Sequence, residues 1–143
     1  MNNLSFHITD ITANSIRANA SEIGLSVEEQ DTRIVIRITD NGSGMDAETA
    51  RRVTNPFYTT RTTRKVGLGL PFLIQNAEQT GGSVTLTSEP GKGTEVRAVF
   101  HSDHIDCPPW GDLPGTVALL ITGNPEINVC FEYRSGETGY SIS

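Results

Sequence analysis

The chain has 143 residues, enough for one domain with a substantial core. Eleven basic against seventeen acidic residues leave a net charge of −6, which excludes a broadly basic surface for nucleic acid or anionic membrane. No apolar run approaches the length of a membrane span, and the start MNNLSFHITD has neither a basic leader nor an apolar signal core, so a cytoplasmic protein is expected, with no membrane or nucleic-acid partner.

Leu4, Ile8, Ile11, Ser15 and Ala18 recur three or four apart and predict a helix from about Leu4 to Ala20 with an apolar-to-small stripe. His7, Asp10, Asn14 and Arg17 follow the same spacing and are expected to share a second, polar face. Such a face is ordinarily solvated, but Asp, Asn and Arg in this arrangement can also serve a metal-bound phosphate. Ile23–Val27 and Arg33–Thr39 alternate apolar and small or polar residues, so they read as two strands of an antiparallel hairpin turning through Glu28–Thr32. The second strand runs into Asp40-Asn41-Gly42-Ser43-Gly44-Met45. Asp46 is placed to cap a short helix reaching about Val53.

Asn55–Leu70, NPFYTTRTTRKVGLGL, crosses a Thr-, Arg- and Lys-rich span and closes on Gly67-Leu68-Gly69-Leu70, where helical spacing begins and continues to about Thr80. Free N–H groups and the dipole at a helix N-terminus attract anions, and glycine lets the backbone approach closely, which is a recipe for holding polyphosphate. Gly81-Gly82 ends the helix. Ser83–Ser88 and Thr94–Phe100 read as antiparallel strands joined by Pro90-Gly91-Lys92-Gly93. The order α, β, β, α, α, β, β implies an α+β fold with helices on one sheet face and argues against a doubly wound dinucleotide fold.

Beyond His101 the composition turns irregular. Cys107–Gly111 reads as a connector, Asp112–Thr122 as a short helix, and Ile127–Arg134 with Gly139–Ile142 as a hairpin. Residues 102–143 are therefore expected to be a small appendage on a main unit spanning 1–101, with Trp110 plugging it down. His101, His104 and Cys107 are spaced as transition-metal ligands, but the segment precedes Pro-Pro and has no matching second pair, so it reads as a solvated connector. Cys107 and Cys130 lie far apart and do not form a disulfide scaffold.

Asp10/Asn14, Asp40–Met45, Pro56–Leu70 and Gly91–Thr94 stand in an order that resembles the ATP-binding domain shared by histidine kinases, gyrase B-type topoisomerases, ninety-kilodalton heat-shock chaperones and MutL-type repair ATPases. The resemblance covers about Leu4 to Phe100. Asn14–Ser21 through Gly42 is most similar to the MutL pattern, and Pro56–Arg61 with Gly67–Leu70 to the sensor kinases. It implies the Bergerat fold: a two-layer α/β sandwich with a mixed, mainly antiparallel sheet. It also implies ATP and Mg²⁺ as cofactors.

On that resemblance Asn14 is the Mg²⁺ ligand and Arg17 a phosphate contact. Asp40 accepts a hydrogen bond from the exocyclic amine of adenine, with Gly42, Gly44 and Met45 making room for the base, and Thr94 sits beside the ring. Phe57 anchors a lid, Arg61, Arg64 and Lys65 are the candidate phosphate contacts, and Gly67, Leu68, Gly69 and Leu70 supply the phosphate-binding backbone. Asp10 corresponds to the acidic residue that accepts a proton from an attacking water or hydroxyl; hydrolytic relatives carry Glu there, and Asp reaches about one methylene less far.

The implied activity is a nucleotide-gated ATPase or switch acting on a partner protein. The alternatives are a kinase acting in trans on a partner's Ser or His, and a binding module with little turnover. Only a few residues precede the first helix, so no phosphoacceptor-histidine hairpin is expected in the chain. Similar chains near iron-hydrogenase genes point to a redox-related partner complex.

Overall fold

The computed structural model describes residues 3–45, 48, 69–105, 107–135 and 138–142. The first helix, α1, spans Leu4–Arg17; the Asn3 side chain caps it by accepting from the Phe6 N–H at 2.6 Å. It stops three residues short of expectation because Asn19 takes a left-handed φ of 63°. Leu4, Ile8, Ile11 and Ser15 are buried, as their spacing predicts.

Strands β1 (Glu22–Gln30) and β2 (Arg33–Asp40) pair antiparallel from Ile23↔Asp40 to Gln30↔Arg33. Their turn is two residues rather than five, with Asp31 at φ 56°, and Glu28–Gln30 continue the strand. Helix α2 (Gly69–Gln79) buries Leu70, Leu73 and Ala77, and its end is closed by Gly81 and Gly82 donating to Glu78 and Ala77. Strands β3 (Ser83–Glu89) and β4 (Gly93–His101) form the second hairpin, and β4 lies against β2. The helix expected at Asp46–Val53 and the span up to Leu68 lie outside the described residues, apart from Glu48.

The C-terminal segment is built into the same sheet. Helix α3 (Leu113–Gly123) packs on α1, strand β5 (Asn128–Ser135) pairs parallel with β1, and β6 (Thr138–Ile142) pairs antiparallel with β5. The sheet order is β3-β4-β2-β1-β5-β6, so the only parallel step described is β1–β5. Leu113, Val117 and Phe131 share one core cluster with Leu4, Ile8, Leu25, Ile36 and Phe100. The connector lies over the start of α1, where the carbonyls of Pro109 and Trp110 accept from the N–H groups of Leu4 and Ser5. Buried positions alternate along β1 and β2, and the outer face carries polar pairs such as Arg37–Glu95 at 3.3 Å. No described helix is long and apolar enough to cross a membrane.

His7 departs from the expected polar face. It is 1% exposed, set among Phe6, Phe72 and Phe100, because α2 crosses there and covers it. The Asn76 amide donates to His7 Nε2 at 2.8 Å, which leaves the ring proton on Nδ1, an atom with no hydrogen-bond partner among the described residues. Desolvation pushes the pKa down from 6.5 to about 4. The unfolded chain thus binds this proton as pH falls through 6.5, and the folded chain only near 4. Stability is expected to fall across that window, by on the order of 3 kcal/mol once complete. Thermal melts at pH 7 and pH 4.5 check this: His7→Gln should flatten the wild-type decline.

Candidate functional site

Three backbone features converge at one end of the sheet: the last turns of α1, the end of β2, and the turn between β3 and β4. Between them lies a cavity of about 180 Å³. Ile11, Ile38, Met45, Leu70 and Val96 form its apolar wall, and Asn14, Ser15, Arg17, Asp40, Ser43 and Thr94 bring polar atoms to it. An apolar slot with a few convergent polar groups is the usual form of a small-molecule site.

Asp40 is the most constrained of these groups. Its Oδ2 accepts from Ser15 Oγ at 2.6 Å and its Oδ1 from the Gly42 N–H at 2.8 Å. One partner comes from α1 and the other from the loop after β2, so the carboxylate is aimed from two sides. A carboxylate oxygen retains further lone pairs, so Asp40 can still accept from a ligand donor. Asn41 holds the strand end itself: its Oδ1 accepts from the N–H groups of Ser21 and Glu22, each at 2.9 Å.

The Gly-Ser-Gly loop is laced to both neighbours. Ser43 N–H donates to Ala18 O at 2.9 Å, and Ser43 O accepts from Gly91 N–H at 2.7 Å. Gly44 takes φ 72°, and a Cβ there would lie 2.0 Å from Glu89 O, so close approach requires the missing side chain. Met45 N–H donates to Ser88 Oγ at 2.8 Å, and Ser88 Oγ lies 2.8 Å from Thr94 Oγ1. The β3–β4 hairpin thereby fixes Met45 and Thr94 on the same wall.

On α1, Asn14 and Arg17 line the cavity, and the Arg17 guanidinium donates to Asn14 Oδ1. Asp10 sits one turn earlier, half-exposed and outside the cavity wall formed by described residues. Thus Asn14, Arg17, Asp40, Gly44, Met45, Leu70 and Thr94 come together, with Gly42 hydrogen-bonded to Asp40 at the rim. Gly69 opens α2. Phe57, Arg61, Lys65, Gly67 and Leu68 lie outside the described residues.

Two polar residues of this site were not singled out from the sequence. Ser15 looked like a small residue in a core stripe, and Ser88 like an ordinary strand serine. The available signal was that Ser15 is a hydroxyl on the inward stripe of a helix facing the strand that ends in Asp40. His101, His104 and Cys107 form no metal-binding group among the described residues.

The description "Histidine kinase-, DNA gyrase B-, and HSP90-like ATPase" matches residues 3–104. A putative sensor protein of Shewanella frigidimarina is 32% identical over 97 residues, 65% of this chain and 15% of its own. The sensor histidine kinase YxdK of Bacillus subtilis is 29% identical over 104 residues, 68% of this chain and 32% of its own. The chain thus spans about a third or less of these two relatives. Among solved structures, the N-terminal domain of a DNA repair protein aligns at TM-score 0.60 and 16% identity, over 99% of this chain and 52% of that one. The Aquifex aeolicus MutL ATPase domain complexed with ADP aligns at TM-score 0.54 and 18% identity, over 100% and 64%.

Proposed function

Because the chain belongs to the family of histidine kinase-, DNA gyrase B- and HSP90-like ATPases, we propose that its cavity takes Mg·ATP and that nucleotide occupancy switches the chain's action on a partner protein. The observation that carries this is Asp40. A carboxylate held by Ser15 and Gly42 at the wall of an apolar slot is built to receive an amino donor on a flat, weakly polar ring.

Asp40 accepts the hydrogen bond of the exocyclic amine of adenine. Met45 and Val96 cover the ring, and Thr94 supports its edge through the Ser88 hydroxyl. Arg17 directs a guanidinium at the phosphates. Asn14 offers a neutral carbonyl oxygen at the cavity wall, the donor type that Mg²⁺ takes, so this residue fits the ion. Asn14 Oδ1 accepts from Arg17 and keeps a second lone pair for the ion. Bound Mg²⁺ would neutralise charge developing on the phosphates. Asp10 is assigned as acceptor of the proton from the attacking water or hydroxyl. Gly69 and Leu70 supply backbone N–H groups at the start of α2; Phe57, Arg61, Lys65, Gly67 and Leu68 keep the roles the resemblance implies and lie outside the described residues.

A kinase acting in trans is the second reading, favoured by the sensor-kinase relatives. His7 is not its phosphoacceptor, because its ring is 1% exposed.

Thermal melting with nucleotide tests the central claim. Mg·ATP at one hundred times its Kd should add about 2.7 kcal/mol of stability. The absence of any shift with ATP, ADP or a non-hydrolysable analogue would refute it. Asp10→Asn should keep the shift and lose phosphate release, and labelled ATP with partner candidates separates hydrolysis from transfer.

A further inference from the structure

The composition of α3 is at odds with its position. Its sequence, LPGTVALLITG, has no charged residue on any face, whereas surface helices place charge opposite their buried stripe. Leu113, Val117 and Leu120 face inward, and Leu120 joins a cluster with Ala20, Ile23 and Val129 against which Ile16 of α1 packs. Pro114, Ala118, Leu119 and Thr122 are exposed on the outer side. Leu119 is 73% exposed, and none of the described residues covers it. The Thr122 hydroxyl donates back to Ala118 O at 2.8 Å, so its hydrogen-bonding capacity is turned onto the helix rather than outward.

The charge at the two ends of this stripe is of one sign. Asp112 caps the helix, its Oδ1 accepting from Gly115 N–H at 3.1 Å, and Glu126 follows the C-cap Asn124. From position 98 to 133 the sequence has no Lys or Arg and five acidic residues: Asp103, Asp106, Asp112, Glu126 and Glu132. An anionic lipid surface is repelled by that rim. A second copy fits no better, since antiparallel pairing of two α3 helices about a two-fold axis sets Asp112 against Glu126 at both ends.

A single amphipathic helix needs only such a stripe, read through anchors at i, i+4 and i+7. We propose that α3 is the docking site for an amphipathic helix of a partner protein, whose apolar face covers Leu119 and whose Lys or Arg flanks meet Asp112 and Glu126. This surface lies beyond residue 104, where the family match ends, and it does not depend on nucleotide binding. It packs on α1, the helix that carries Asn14 and Arg17, so an occupant rests one helix away from the cavity.

The test is selection from a display library of helical twenty-residue peptides on the full chain. The enriched peptides should combine a Leu/Ile stripe with Lys or Arg flanks. Synthesised singly, they should bind at least tenfold more weakly to Leu119→Glu and to Ala118→Glu, and their affinity should fall with salt and with Glu126→Lys. Far-UV circular dichroism and melting should match wild type for all three exposed substitutions. The proposal is overturned by no enrichment, by peptides indifferent to Leu119→Glu, or by acidic rather than basic flanks. It is equally overturned if the chain dimerises through α3, with dimerisation lost in Leu119→Glu, or binds phosphatidylserine vesicles through it.

Discussion

Asp40→Ala is expected to cut the nucleotide-induced stabilisation by about half or more at one hundred times the wild-type Kd. A hydrogen bond to a charged group contributes about 1.5–3 kcal/mol, and each 1.4 kcal/mol is tenfold, so affinity should fall roughly 10- to 100-fold. The substitution also strips acceptors from the Ser15 hydroxyl and the Gly42 N–H, which then compete for any remaining polar ligand atom. Asp40→Asn sharpens the test. Its carbonyl can still accept from Gly42, but its amide group opposes the exocyclic amine of adenine with a donor. The ratio of GTP to ATP affinity should therefore rise, because guanine offers an acceptor at that ring position. Isothermal titration with both nucleotides reads the ratio directly. An Asp40→Ala protein that keeps wild-type affinity for ATP would remove Asp40 from the site.

Gly93→Ala is expected to damage the fold and the site together. Gly93 takes φ 128°, and a Cβ there would lie 2.0 Å from Asp40 O, with Asn41 Cα at 3.0 Å. Both neighbours are backbone, so relief requires β4 to move away from the end of β2. Strained torsion plus overpacking should cost about 3–5 kcal/mol, or roughly 10 °C or more in melting temperature for a chain of this size. The Asp40↔Thr94 pair is the first to separate, so nucleotide affinity should drop in the fraction that still folds. Gly91→Ala separates the two causes. Gly91 is also left-handed, at φ 78°, but its Cβ would meet nothing within 4 Å, so only the torsional penalty of about 1 kcal/mol applies. Chemical denaturation of both variants measures the difference; equal losses would show that contact with Asp40 O is not the cause.

Read alone, Asn55–Leu70 is a generic anion-binding loop before a helix. The resemblance draws its strength from the joint order of Asp10/Asn14, Asp40–Met45, Pro56–Leu70 and Gly91–Thr94. Asn14, Asp40, Ser43, Gly44, Met45 and Thr94 of these clusters line one cavity at the end of the sheet. Periodicity located α1, the two hairpins and α2 to within a few residues, because an amphipathic stripe or alternation is a local consequence of which face is buried. It placed Asp40 at a strand end and Gly44 in a turn for the same reason. Asp-Asn-Gly-Ser-Gly admits few other backbone paths.

What the sequence alone determined is therefore the α+β order, the nucleotide-type motif set and the absence of a basic surface, all of which depend on near neighbours or on summed composition. Tertiary structure alone decided four other features. α2 turned His7 from an expected solvated histidine into a buried neutral one. Ser15 met Asp40 across twenty-five positions. β5 pairs parallel with β1 across about a hundred positions of chain. α3 was left with a bare apolar side. Each depends on which surfaces meet across large sequence separations, and a single helix or strand carries no local signal of what will be packed against it.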